Sequence, residues 1–178
     1  MTRTQKLVLT SLVMILTLAF SGCSHVTVPR GPIQVKMDVV GSVDIPKEIS
    51  FENGVPDSKL TMIGSQGFHK WYADYRAWTG FIVNHLETEL RNRGVKVMTP
   101  GGGTPFRVKV EQAGLHWGSF AIRCVVNVRV EKVDGTWSKI YEGNNASPAT
   151  LYRAVDGAVY KAVVAILEDK DFKIAAGR

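Results

Sequence analysis

The side chains that could perform chemistry in this chain are few and scattered. The four histidines, at positions 25, 69, 85 and 116, have no histidine, cysteine or carboxylate partner at metal-ligand spacing. Cys124 falls on the apolar side of an alternating stretch, which indicates a buried, inert thiol. His85 lies one helical turn from Glu89, which favours a histidine bonded to Glu89 or to backbone over a catalytic base. We therefore predict a protein that is not an enzyme and uses no cofactor or metal.

The other cysteine, Cys23, follows an N-terminal segment with three distinct parts. A positive start with two basic residues comes first, and no acidic residue occurs before position 38. The apolar stretch at residues 7–20 is shorter than the roughly 20 residues that a membrane-spanning helix needs, and fits a secretion signal. The small residues Ser21 and Gly22 stand directly before the cysteine. The alternatives are a plain signal or an uncleaved anchor in which the cysteine occurs by chance.

This arrangement resembles the bacterial lipobox, with Phe20 at the position where leucine is usual. In the lipobox, signal peptidase II cuts before a cysteine whose sulfur already carries a diacylglycerol. The resemblance implies that Cys23 becomes the first mature residue and carries two or three acyl chains, which together hold a protein stably on a membrane. Ser24 replaces the aspartate that usually retains enteric lipoproteins in the inner membrane. The resemblance thus implies the periplasmic face of the outer membrane.

The composition limits the classes of partner. The chain has 22 basic and 16 acidic residues, and loss of residues 1–22 would remove two basic and no acidic ones. Since the basic residues alternate with acidic ones and form no block, we expect no nucleic-acid binding, whereas a modest positive charge suits a surface near anionic lipid. With Cys23 acylated, Cys124 would have no partner for an intramolecular disulfide.

The aromatic residues around position 71 are the other group with a potential function. If this stretch is helical, Trp71, Tyr75 and Trp78 lie on one side at spacings of four and three. Two interpretations stay open. The rings either pack the start of a helix into the core, or form an exposed patch that binds a partner protein, a glycan or a lipid, as aromatic rings often do at interfaces.

The patterning also predicts the elements that position these residues. Apolar residues alternate with polar ones from Ile33 to Val39, which predicts a strand. Residues 46–68 are irregular, with room for a small hairpin. Apolar residues three and four apart then predict a helix that stops at Gly94 and begins either after Asp74 as its N-cap or earlier in the chain.

The second half of the chain predicts a sheet and a helix that covers it. After a short strand at residues 95–98, three alternating stretches joined by short turns predict an antiparallel meander. A closing helix, with Ser147 as N-cap and Pro148 in its first turn, carries an apolar stripe from Leu151 to Leu167. We predict an α+β two-layer fold: a mainly antiparallel sheet of four to five strands with two helices packed on one face.

We therefore divide the chain into a signal peptide at residues 1–22, a lipidated tether at 23–32 and a single α+β domain at 33–178. A mature domain of this size is long enough to form a hydrophobic core of its own.

Over roughly residues 70–168, and in its signal, the chain resembles small proteobacterial lipoproteins of the YajG type. The resemblance runs from "AWTGFIVNHLETELRNRGVKV" through "FRVKVEQ" and "AIRCVVNVRVEKVDGTWSKIYEGNNAS" to "AVDGAVYKAVVAIL". It implies lipidation, an envelope location and the two-layer fold. A more distant likeness, in element order only, is to the lipoprotein subunit of the lipopolysaccharide-assembly machine.

Our leading hypothesis is a non-enzymatic lipoprotein anchored in the outer membrane through Cys23. It would act as a binding or assembly module for an unidentified envelope protein or glycan. The alternative is a carrier that holds a lipid or another apolar ligand between the sheet and the helices. An envelope hydrolase is the least supported class, because the sequence offers no acid–base or nucleophile constellation.

Overall fold

The computed structural model of the protein describes residues 22–177, so the predicted signal segment up to Ser21 lies outside the described residues. The described part contains seven strands and three helices. In chain order they are β1 (Ser24–Val26), β2 (Ile49–Asn53), β3 (Leu60–Gln66), β4 (His69–Asp74), α1 (Tyr75–Asn92), β5 (Thr104–Trp117), β6 (Ile122–Lys132), β7 (Ser138–Ser147), α2 (Leu151–Glu168) and α3 (Lys170–Gly177).

The larger sheet has four strands in the order β2-β5-β6-β7. Strands β5, β6 and β7 form the predicted antiparallel meander, whereas β2 pairs with β5 in parallel. The short strand predicted at residues 95–98 is reduced to one bridge between Val97 and Ile49. Side chains alternate along each strand, so one face is apolar and buried, as at Val108 and Val128, and the other is polar.

Helices α1 and α2 cover the apolar face of this sheet. The predicted stripe of α2 is confirmed, because eight residues three and four apart are buried: Ala154, Val155, Ala158, Val159, Ala162, Val163, Ile166 and Leu167. The helix lies very close to β7 at Gly143, where a Cβ atom would be only 1.9 Å from the carbonyl oxygen of Ala158. The α+β fold class is confirmed, and the structure adds a second sheet and the third helix.

Both predicted ends of α1 are confirmed. The Asp74 side chain caps the start by accepting a hydrogen bond from the Arg76 N–H at 2.9 Å. At the other end Gly94 has a φ of +81°, and its N–H donates to the Arg91 carbonyl at 3.0 Å. These bonds satisfy backbone groups that a helix end otherwise leaves without partners.

The predicted start of the closing helix is wrong by three residues. Thr150 is the N-cap of α2, and its side chain accepts a hydrogen bond from the Arg153 N–H. Ser147 instead ends β7, and its hydroxyl accepts hydrogen bonds from the Ala149 and Thr150 N–H groups. The meander strand thus runs further than predicted, because Ser147 still pairs with Ile122 of β6.

The second sheet has three strands in the order β1-β4-β3, and it supplies the hairpin that the sequence left unplaced. Strands β3 and β4 are antiparallel, and β1 joins β4 in parallel. β1 lies within residues 23–32, which we predicted to be a tether. The next residue, Thr27, is only 1% exposed, so residues 24–27 are part of the folded body.

The strand predicted from Ile33 to Val39 is wrong. Its residues lie in an irregular segment in which Val35 is buried while Ile33, Met37 and Val39 are exposed. A turn interrupts the alternation, because the N–H groups of Val39 and Val40 both donate to the Lys36 carbonyl. The Val35 backbone bonds to the side chains of Glu89 and Arg93 and not to a neighbouring strand, so the apolar alternation does not produce a strand.

Candidate functional site

Cys23 lies at the surface, at the start of the folded body. Its carbonyl accepts a hydrogen bond from the Lys70 N–H at 2.9 Å, and the next residue, Ser24, pairs with Lys70 in the sheet. The residue is exposed, whereas Cys124 is fully buried in β6. Burial raises the pKa of the Cys124 thiol to about 12, so it is unreactive at neutral pH, as the sequence predicted.

Four rings from three strands gather beside Cys23, and we call them the aromatic cluster: His25, His69, Trp71 and Trp117. Trp71 lies at its centre, with its ring centroid 4.4 Å from that of Trp117 and 5.2 Å from that of His25. The His25 Nε2 and His69 Nδ1 atoms are 3.0 Å apart and share a hydrogen bond. One of the two ring nitrogens donates and the other accepts.

The three aromatic residues predicted from helical spacing do not share a helix face. Helix α1 begins only at Tyr75, so Trp71 belongs to β4, where side chains alternate between the two faces of the sheet. Trp78 is fully buried, and its indole N–H donates to the Thr27 carbonyl at 2.8 Å. Trp78 therefore packs in the core and has no surface to offer a partner.

Tyr75 has a structural role at the edge of β5. Strand β2 pairs with β5 only as far as Val108, so the backbone beyond that point needs other partners. Helix α1 supplies them, because the Thr79 hydroxyl accepts from the Val110 N–H at 2.9 Å and the Tyr75 hydroxyl accepts from the Ala113 N–H at 3.0 Å. An N–H group buried without a partner costs about 1–3 kcal/mol.

His85 and Glu89 also serve the fold. The Glu89 carboxylate is buried, bonded to the Arg93 guanidinium and to the Val35 N–H. We predicted a partly buried His85 bonded to Glu89 or to backbone; the residue is fully buried, and its Nε2 lies 3.0 Å from the Ile33 carbonyl, the backbone alternative. Burial lowers the pKa of His85, although the nearby charge of Glu89 acts in the opposite direction. The lowered pKa favours the neutral ring. These bonds hold the irregular segment against α1.

Apolar side chains of the four-stranded sheet and of its helices are buried between the two layers. Val126 and Val163 from the two sides are both fully buried. A cleft of about 630 Å³ lies instead at the margin of the body, between the β6–β7 turn and α3, next to Trp137 and Ile174. Within residues 22–177 no three metal-binding side chains are grouped to hold an ion, and none of the helices there is long and apolar enough to cross a membrane.

Neither the aromatic cluster nor the docked β1 could be read from the sequence. His25 and Trp117 lie far apart along the chain, and the residues around each of them form no recognisable motif. The hairpins of the meander can be recognised from their short turn sequences, but β1 and β4 are parallel and no short turn joins them.

Comparison with known proteins gives one informative result. The sequence matches no family model and no curated protein. The fold is similar to the crystal structure of protein XCC0632 from Xanthomonas campestris, of the family DUF330, with a TM-score of 0.50. The two chains are 10% identical, and the similarity covers 80% of this chain and 90% of that one. At this identity the similarity shows the fold alone.

Proposed function

We propose that the protein is a non-enzymatic lipoprotein of the bacterial cell envelope, anchored by acyl chains on Cys23. The supporting observation is the coincidence of two features at one residue. In the sequence Cys23 follows a positive start, an apolar stretch and two small residues, and in the structure it is exposed at the point where the folded body begins. An acyl group on this sulfur would point to the surface and disturb no core contact.

We further propose the periplasmic face of the outer membrane as its location and the YajG type as its relatives. The location rests on Ser24 after the cysteine, and the relationship rests on the sequence features of α1, the meander and α2.

As a binding or assembly module, the protein needs a surface for an envelope protein or glycan, and we propose the aromatic cluster. Trp71 and Trp117 are only partly buried, and their rings, in contact at a tilt of 39°, present an apolar surface with few rotatable bonds. Such rings often dominate binding energy at interfaces. Trp71 is thus retained from our predicted patch, whereas Tyr75 and Trp78 have the structural roles described above.

The second candidate function, a carrier for an apolar ligand, is less well supported. A ligand between the sheet and the helices would have to displace a filled core and separate α2 from β7 at the close Gly143 contact. Native mass spectrometry of protein that lacks the acyl anchor and is purified without detergent tests this function, because a carrier would retain a bound lipid. Protein that is free of ligand would count against it.

Replacement of the anchor residue tests the leading proposal. We expect Cys23→Ser to accumulate as unprocessed precursor that still carries residues 1–22, because the lipid-dependent peptidase would have no modified sulfur to recognise. Cys124→Ala is the matched control, since it removes the other cysteine and should be processed like the wild type. A Cys23→Ser protein that is cut and fractionates normally would contradict the proposal.

The proposed partner surface is tested by crosslinking in intact cells. Trp71→Ala should lose a crosslinked envelope partner while the isolated protein keeps its circular dichroism spectrum. Ile140→Ala changes an exposed apolar residue on β7 and should keep the crosslink. If both variants keep the crosslink, the aromatic cluster is not the partner surface.

A further inference from the structure

Among residues 22–177, the outer face of the three-stranded sheet exposes a group of apolar side chains. Val26, Tyr72 and Met62 stand side by side across its three strands, and Leu60 lies one row further, opposite Asp74. Val26 is 55% exposed, Met62 is 56% exposed and Leu60 is 53% exposed. We call these four residues, Val26, Leu60, Met62 and Tyr72, the outer patch.

The opposite face of the same sheet carries His25 and Trp71 of the aromatic cluster at its Cys23 end, and beyond them it is part of the core. Thr27 and Ala73, the chain neighbours of Val26 and Tyr72, are 1% and 0% exposed. Because side chains alternate along a strand, the outer patch points away from the body. Most surface apolar residues occur singly, so a row of them across three strands indicates a contact surface.

The outer patch begins next to Cys23 with no flexible segment between them. Val26 is three residues after Cys23, which is about 10 Å of strand. The hydrogen bond from the Lys70 N–H to the Cys23 carbonyl fixes the cysteine to the middle strand of the sheet. An anchor on Cys23 would therefore hold the sheet itself at the membrane, whereas a long tether would let the body move away from it.

We propose that the outer patch rests on the lipid bilayer, so that the acyl chains and the three-stranded sheet form one membrane-binding unit. This inference rests on the proposed acylation of Cys23. With the sheet held within a few residues of the anchor, the effective concentration of bilayer at the patch is far above that of any soluble partner. The bilayer is therefore the occupant that the geometry favours.

The side chains around the patch suit a membrane interface. Tyr72, at its centre, has an apolar ring and a polar hydroxyl, as is typical of residues at headgroup level. Lys70 is exposed at the Cys23 end of the same face, from where its ammonium can reach a lipid phosphate. Phe68, 62% exposed, lies at the β3–β4 turn next to the anchor.

A spin label at Met62 tests this orientation. In acylated protein Cys23 is blocked and Cys124 is buried, so Met62→Cys provides the single reactive thiol. Ile140→Cys is the matched control, because Ile140 is similarly exposed, at 47%, on β7 of the other sheet. Both variants are extracted from membranes with their acyl chains and reconstituted into vesicles of phosphatidylethanolamine and phosphatidylglycerol that contain no other protein.

We expect the label at residue 62 to collide with oxygen and to be shielded from a water-soluble nickel chelate. Its oxygen-to-nickel accessibility ratio should exceed that at residue 140 by about tenfold, because interfacial segments lie roughly 5–10 Å into the headgroup–acyl boundary. Equal, water-like ratios at the two positions would overturn the inference. Dipolar broadening at residue 62 would overturn it as well, because the patch would then face a second copy of the chain.

The mass of the N-terminal peptide, measured on the same preparation, separates the two proposals. If acyl chains are present and residue 62 is in water, only the orientation is wrong. If acyl chains are absent, the proposed anchor fails and the inference falls with it.

Discussion

The outer faces of the two sheets differ in polarity. Both bury one apolar face in the common core. The four-stranded sheet exposes charged side chains on its other face, whereas the three-stranded sheet exposes the apolar outer patch beside Cys23. The larger sheet therefore presents paired charges on its outer face, whereas among the described residues the smaller sheet leaves the outer patch exposed.

On the larger sheet, cross-strand ion pairs satisfy the outward charges. The Arg107 side chain lies between Glu52 at 2.8 Å and Glu131 at 3.3 Å. Arg129 bonds to Glu111 at 2.6 Å. Pairs of this kind across neighbouring strands add modestly to sheet stability and keep the face hydrated.

The sharpest test of this contrast compares one buried ring with one patch residue. Phe172 in α3 is fully buried against Phe51 and Phe106, so Phe172→Ala should lower the free energy of unfolding by about 3–5 kcal/mol. Met62→Ala in the outer patch should change it by about 0.5 kcal/mol or less in lipid-free protein. Chemical denaturation measures both. A large loss at Met62 would mean that the patch belongs to the core.

A second prediction concerns the closeness of α2 to the larger sheet. Gly143→Ala places a methyl group against the Ala158 backbone and should cost roughly 1–3 kcal/mol of stability, because neither element can shift without loss of packing. Gly41→Ala is the control, since a Cβ there meets nothing within 4 Å. Thermal unfolding compares the two. Equal melting temperatures would show that the helix–sheet contact is looser than described.

A third prediction is a loss of stability in mild acid. Burial lowers the pKa of His85 in the folded protein, so the unfolded chain takes up the proton first as the pH falls below about 6.5. The free energy of unfolding should then fall by at most about 1.4 kcal/mol per pH unit. His85→Gln should flatten this slope between pH 6.5 and 5 without moving the acid transition of the carboxylates. An unchanged slope would exclude His85 as its source.

The smallest effect is expected on the charged face of the larger sheet. The Arg129–Glu111 pair is about one third exposed, so a double-mutant cycle with Arg129→Gln and Glu111→Gln should give a coupling energy of about 0.2–1 kcal/mol. Added salt should reduce it, since exposed pairs are screened. A coupling energy of several kcal/mol would mean that this face is less solvated than the structure indicates.

The parts of the fold that could be predicted from the sequence are those that depend on near neighbours. The ends of α1 follow from Asp74 and Gly94, and the meander follows from alternation and short turns. The smaller sheet was missed because β1 and β4 are distant in sequence, and because a bulge after Met62 interrupts the alternation of β3. The residues of one strand do not identify a pairing partner that is distant in sequence, and no short turn connects β1 to β4.

The candidate site could also be predicted only where its residues are close together in sequence. Cys23 stands out because its signal is a contiguous run of residues, whereas the aromatic cluster draws on β1, β4 and β5. Trp71, Tyr75 and Trp78 have helical spacing by coincidence, because the chain changes from strand to helix between Trp71 and Tyr75. Spacing indicates a shared face only within one element.

The central claim, that Cys23 carries the membrane anchor, is tested most directly by the mass of the N-terminal tryptic peptide from membrane-extracted protein. We predict a peptide of residues 23–30 that begins at Cys23 and is heavier than its sequence by a diacylglycerol, with or without a third acyl chain on its amino group. A peptide that starts elsewhere, or a Cys23 with a free thiol, would contradict the account.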